Sequence, residues 1–191
     1  DFVAVTVADY TYILNKTKTT AMASTTSPAK IEQAIYSVLQ GVNNTKYSIT
    51  IDGAVKSFTS SNTDTEAIRD GLKSACGSIS NISFANVGTS SFSIIKSSGT
   101  LTVSASDGYG DDASQVVASK VQNFSDLPSP AINDMVVEVT GDASNSFDNY
   151  YVQYDSADDV WNETVAPSTK TTIDKDLMPH VLIRTADGNF R

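Results

Sequence analysis

The chain has 191 residues, with 22 acidic against 13 basic side chains, a formal net charge of -9, and only 18% charged residues. No cluster of Lys and Arg is present to neutralise phosphates, which argues against non-specific nucleic-acid binding, and the acidic surface favours solubility or basic partners. No apolar run approaches the roughly 18 residues of a membrane span, and the single Cys76 excludes an internal disulfide and a Cys-based zinc site.

The length suits one large domain or two small ones. No signal peptide is visible at the start, and both ends read as cut from a longer polypeptide. Phe2–Val7 and Tyr10–Leu14 are apolar runs separated at hairpin spacing. Lys16–Lys30 is rich in Thr and Ser, holds Pro28, and reads as a linker or long loop. Residues 31–40 fit helical spacing at Ile31, Ile35, Val38 and Leu39, yet Ala34–Leu39 is also β-prone, so periodicity leaves the segment open. Tyr47–Ile51, the turn Asp52-Gly53 and Ala54–Phe58 follow as strand, turn and strand.

One helix is expected over about 63–77. Thr63 and Glu66 have capping-box spacing, Ile68, Leu72, Ala75 and Cys76 form an apolar stripe, and Gly77 can end the helix. Gly71 in its interior costs about 1 kcal/mol against Ala. Phe92–Ile95 and Leu101–Ala105 read as a hairpin, Gln115–Val121 as a short helix or strand, and Leu127–Pro130 as an internal boundary set by two prolines. Met135–Pro167 reads as three strands in a row. Met135, Val137 and Val139 share one face, as do Tyr150, Val152 and Tyr154, then Trp161 and Val165. Asp174–Met178 is a short turn and His180–Arg184 a last strand. The fold class is α+β, mostly β: antiparallel hairpins and a meander with one main α-helix.

Few residues suggest chemistry. Asp155, Asp158, Asp159 and Glu163 have the makings of an acid/base pair, but they crowd one turn and read as solvated. Asp107, Asp111 and Asp112 lack the spaced ligands and closing Glu of a calcium loop, and read as a turn. His180, the only histidine, reads as a packed strand-end residue, and Cys76 as a buried inert thiol. Five Asn-x-Ser/Thr sequons, among them Asn15, Asn81 and Asn162, follow from a chain rich in those residues. No catalytic, cofactor-binding or metal-ligating residue is assigned, no cofactor is expected, and the chain reads as no enzyme.

The blocks VTVADYTYILN (Val5–Asn15), TDTEAIRDGL (Thr63–Leu72), SDGYGDD (Ser106–Asp112) and FSDLP (Phe124–Pro128) come in the order of one family. So do VVEVTGDASNSFDNYYVQYDSADDVWNETVAP (Val136–Pro167) and MPHVLIRTADGNF (Met178–Phe190). Together they resemble the tail tubular protein B, or tail nozzle protein, of short-tailed podoviruses. Lys16–Lys30 and Ser78–Ser91 depart from the family pattern.

That resemblance implies a portion of the N-terminal half of a longer virion structural protein of a bacteriophage tail. It implies a hexameric ring below the tail adaptor, contacts to tail-fibre proteins, and presence in the virion after synthesis in the host cytoplasm. It implies no catalytic residue. It also implies a β-propeller with inserted domains, so 1–15 and 181–191 are expected to be flanking strands of a parent, propeller-like domain. Residues 30–126 are then an inserted β-rich subdomain with the helix, and 131–179 a small antiparallel meander subdomain. Val3–Leu14 and Val181–Arg184 should lie side by side, as the ends of an insertion commonly do, with Lys16–Lys30 and Asp174–Pro179 as the crossings. The resemblance also takes Ala34–Leu39 as a strand in a hairpin with Tyr47–Ile51. The alternatives are a carbohydrate-binding module using an exposed row of Tyr150, Tyr154 and Trp161, and a glycan-degrading hydrolase using the Asp155–Glu163 carboxylates. Burial of the aromatic residues separates the module from a structural part.

Overall fold

The computed structural model describes residues 2–8, 10–142, 144–177 and 181–182. In chain order the described residues form β1 (Phe2–Val7), β2 (Tyr10–Asn15), β3 (Gln33–Val38), β4 (Lys46–Ile51) and β5 (Ala54–Thr59), then α1 (Thr65–Cys76). After the helix come β6 (Ile82–Val87), β7 (Ser91–Lys96), β8 (Val103–Asp107), β9 (Ser114–Val117) and β10 (Lys120–Val121). β11 (Val136–Val139), β12 (Tyr150–Asp155), β13 (Val160–Thr164) and β14 (Val181–Leu182) follow. This is the mostly-β α+β class expected. All strand pairings are antiparallel except β10 with β11.

The chain divides into two compact units, Asp1–Pro28 with Pro167–Arg191, and Ala29–Ala166. In the first unit the sheet order is β1-β2-β14. Val181 pairs with Tyr12 and Leu182 with Thr11; His180, Ile183, Arg184 and the rest of the 183–191 stretch lie outside the described residues. The Thr/Ser-rich stretch expected as a linker is paired for part of its length. Met22 bridges Ile173 and Thr26 bridges Lys170. The amides of Ala23 and Ser27 donate to the carbonyls of Thr172 and Thr169, both at 2.9 Å. Backbone bonding of this kind needs no apolar pattern, so the composition hid it.

The second unit has two apolar cores on the two faces of one sheet, ordered β6-β7-β3-β9. On one face Ala34, Tyr36 and Val38 of β3 and Phe92 and Ile94 of β7 meet Tyr47, Ile49 and Ile51 of β4 and Ile68, Leu72 and Cys76 of α1. On the other face Ile35 and Val117 meet Met135, Val137, Val139, Val152 and Tyr154 of the sheet β10-β11-β12-β13. β3 is therefore buried along its whole length. A strand covered on both faces carries no period-two alternation, which is why residues 31–40 read ambiguously.

Two expected hairpins are corrected. β3 pairs with β7 and β9, not with Tyr47–Ile51; β4 instead joins β5 and β8. Likewise β7 and β8 belong to different sheets and do not pair with each other. Both connections carry the chain from one layer to the other, and a short turn-rich link serves an arch as readily as a hairpin. The first arch is fastened by the Tyr47 hydroxyl, which donates to the Gln40 carbonyl at 2.7 Å and accepts from the Val42 amide at 2.9 Å. The second is fastened by Lys96, whose Nζ donates to Asp52 Oδ2 at 2.7 Å and the Thr100 carbonyl at 2.6 Å.

The helix starts one residue later than the capping-box spacing implied. Asp64 is the N-cap, accepting from the Glu66 amide at 3.0 Å. A carboxylate at this place satisfies an orphan donor and meets the positive end of the helix dipole. Gly71 has a packing reason: a Cβ there would sit 2.5 Å from the ring of Phe58 on β5.

Candidate functional site

Strands β12 and β13 bring the acidic turn and the aromatic residues onto one hairpin. The register pairs Tyr154 with Trp161 and Val152 with Glu163 on one face, and Gln153 with Asn162 and Asp155 with Val160 on the other. Because side chains alternate along a strand, Asp155 and Glu163 leave the hairpin on opposite faces. Both nonetheless border one depression beside the hairpin. Asp155 is spent on its own turn, where Oδ1 accepts from the Ala157 amide at 2.9 Å. Asp159 accepts hydrogen bonds from the Tyr154 hydroxyl and, at 2.9 Å, from the Ser129 hydroxyl. Those two donors hold its carboxyl below the usual range. It fastens the turn to the 127–130 segment rather than poising a proton.

Asn133, Asp134, Gln153, Tyr154, Asp155, Asn162, Glu163 and Thr164 line a depression of about 440 Å³. Asp134 is bonded within it, accepting from Gln153 Nε2 at 2.9 Å and from Asn133 Nδ2 at 2.8 Å.

The exposed aromatic row is not formed. Tyr154 is buried and its ring centroid lies 5.2 Å from that of half-buried Trp161. The Trp161 indole donates to the Pro128 carbonyl at 2.9 Å. Two of the three candidate rings thus pack on the second core, Trp161 only half-buried, and Tyr150 stays exposed.

The aspartates of the 107–112 loop also turn inward to the backbone. Asp107 Oδ1 accepts from the amides of Tyr109 and Asp111, at 2.8 and 3.1 Å, and Oδ2 from the Ala113 amide and the Ser114 hydroxyl, at 3.0 and 2.9 Å. Asp111 Oδ1 returns a bond to the Asp107 amide at 2.7 Å. A carboxylate holding four donors has no lone pair left for a cation. Among the described residues no group of three or more His, Cys, Asp or Glu is placed to hold a metal. Cys76 is buried, and burial pushes its thiol up to about 11. His180 lies outside the described residues.

Two features escaped the pattern reading. Arg69 is buried beside Ile68, where charge was not expected. Its only sequence sign is its place between Glu66 and Asp70, within the helix. The other is Phe147, a lone aromatic residue in the polar GDASNSFDN loop, which is 97% exposed. The loop is bonded at that point: the Phe147 amide donates to Asn145 Oδ1 at 3.2 Å, and Asn149 Nδ2 donates to Glu138 Oε1 at 2.8 Å.

Asp107, Asp155 and Asp159 thus share one role, holding the turns in which they stand. A family model, bacteriophage nozzle protein, matches residues 1–191. The chain belongs to the bacteriophage nozzle protein family. It is 32% identical over 208 aligned residues to the tail tubular protein gp12 of Escherichia phage T7. That alignment takes in all of this chain and 26% of the relative, so the chain spans about a quarter of that protein's length. As a nozzle-family chain it is a structural component of a phage tail. The turns built by Asp107 and Asp159 lie in sequence blocks that carry the family resemblance, and each block here specifies a bonded turn.

Proposed function

We propose that this nozzle segment acts through protein–protein contacts alone, as part of a hexameric ring that meets a tail adaptor and tail-fibre proteins. The protein is made in the host cytoplasm and carried in the virion, without catalysis or cofactor. The observation that carries this reading is the family match over residues 1–191. Its support is that Asp107, Asp155 and Asp159 accept hydrogen bonds that hold their turns. Light scattering tests the assembly: the complete parent polypeptide should be a hexamer, while the 191-residue chain stays a monomer or weak oligomer, since closed symmetry draws on the whole subunit. A stable hexamer of the short chain, or a monomeric parent, sinks the ring. Release of reducing sugar, abolished by Asp159→Asn or Glu163→Gln, sinks the non-catalytic part.

The same reading takes residues 1–15 and 181–191 as strands of a parent, propeller-like domain, and 30–126 and 131–179 as subdomains of the inserted body. It is supported by β1, an uncharged edge strand whose six residues, Phe2–Val7, are all exposed. Long apolar edges are ordinarily covered. Expressed alone, Ala29–Ala166 should unfold cooperatively on heating; failure to fold would count against an inserted body.

A further inference from the structure

We propose that the Phe147 end of the β10–β13 sheet docks a different protein, one presenting an apolar pocket rimmed by Lys or Arg. The inference rests on the reading that the chain works inside an assembled tail. The register sets the location. Val121 pairs with Val139, and Val139 with Tyr150, so the ends of β10 and β11 and the start of β12 share one end of the sheet. Thr164 pairs with Tyr151 and brings the end of β13 there too. The Thr140 amide donates to the Val121 carbonyl and the Gly141 amide to that of Gln122, at 3.0 and 2.8 Å, extending the alignment into the loops.

This end carries apolar surface that is uncovered among the described residues. Phe147 is 97% exposed, and Phe124, Tyr150 and Val165 are partly so. Phe147 is not a tip left to swing free. Asn145 accepts from its amide, Asn145 Nδ2 donates to Asp148 Oδ2 at 2.6 Å, and the Asn149–Glu138 bond pins the loop to β11. An aromatic side chain presented on an ordered loop loses little further freedom on burial, and buried aromatic anchors dominate interface energies.

Charge selects the occupant. Segments 122–127, 140–149 and 164–166 hold Asp126, Asp142 and Asp148 and contain no Lys or Arg. An apolar anchor flanked by carboxylates fits a basic rim. A second copy of this chain, with 22 acidic against 13 basic side chains, is the poorer source of one.

The test uses the complete parent polypeptide in assembled phage particles, with the photo-crosslinking residue p-benzoylphenylalanine in place of Phe147. The same residue in place of Val55, 66% exposed on β5, is the control. Irradiation followed by mass spectrometry should join position 147 to a peptide of another particle protein, with Lys or Arg near the attachment point. The yield should exceed the control by about ten-fold, as for a central contact, and should fall in Asp142→Asn/Asp148→Asn. Phe147→Ser should leave the melting temperature of the 191-residue chain unchanged, because nothing covers the ring there. A yield at the control level, or attachment only to copies of the same chain or to glycan, overturns the docking proposal while the tail reading stands. Particles that lack the polypeptide altogether overturn both.

Discussion

Arg69 offers the sharpest test of how the second unit holds together. Its side chain is 2% exposed. Nη1 donates to the carbonyls of Gly88 and Thr89, at 3.0 and 2.6 Å, in the turn between β6 and β7. Nη2 donates to Glu66 Oε1 and Nε to Asp70 Oδ1, both at 3.0 Å. The two carboxylates are exposed, at 60% and 49%, so they return to water when the arginine is removed, and pairs of this kind contribute about 0–1 kcal/mol. The turn carbonyls belong to exposed residues, so they too regain water in part when the arginine is removed. A charged donor to each contributes about 1.5–3 kcal/mol, offset in part by the desolvation cost of the guanidinium that disappears with it. With both carbonyls partly rehydrated, the net expectation is a loss of about 2 kcal/mol for Arg69→Ala, and about 1 kcal/mol for Arg69→Met, which keeps the packing volume. Glu66→Gln and Asp70→Asn should each cost under about 1 kcal/mol. Urea unfolding of the 191-residue chain reads this as a lower midpoint at unchanged slope, about 1 M lower for the alanine variant. The loss should persist in 1 M salt, because the governing partners are neutral carbonyls. If Arg69→Met unfolds at the parent midpoint, or Glu66→Gln costs as much as Arg69→Ala, the account is wrong.

Gly71→Ala should destabilise by about 1–3 kcal/mol despite the better helix propensity, because the new methyl meets the Phe58 ring. Phe58→Leu should relieve part of that loss, and a double-mutant cycle with no coupling would refute the contact. The Tyr36 hydroxyl is buried without a hydrogen-bond partner of ordinary geometry, and the Ser114 hydroxyl near it gives its proton to Asp107. Tyr36→Phe should therefore lie within about 0.5 kcal/mol of the parent or above it, whereas Tyr47→Phe should cost about 1–2 kcal/mol through its two backbone bonds. Equal losses in thermal unfolding would refute the distinction. The Asp159 carboxyl is held below its ordinary value near 3.8 by Tyr154 and Ser129. Its contribution is thus present above that value and lost as pH falls through the lowered one. Melting temperatures recorded between about pH 5 and 2 should fall less steeply for Asp159→Asn than for the parent, and parallel curves would show that the bonds do not matter.

Several elements were legible before any coordinates, and they share a cause. The β1–β2 and β4–β5 hairpins, α1 and the β11–β12–β13 meander are set by interactions between residues a few positions apart. Asp52 and Gly53 supply the two positive φ angles, 49° and 82°, that a two-residue hairpin needs. Ile68, Leu72 and Cys76 recur at the helical period. The local bonding of Asp107 and Asp155 follows from neighbouring residues too, since a carboxylate two residues before an amide finds that amide first.

Strand order was not legible, because it depends on which surfaces remain uncovered once local elements exist. β3 became an inner strand with β7 and β9 beside it, and its burial on both faces erased the alternation that marks most strands. Arg69 was unreadable for the same reason: its helix position says nothing of the carbonyls of Gly88 and Thr89 that arrive 19 and 20 residues later. Pattern finds what a residue does to its neighbours in sequence; only the folded chain decides which distant backbone groups lack partners, and so which side chains must be spent on them.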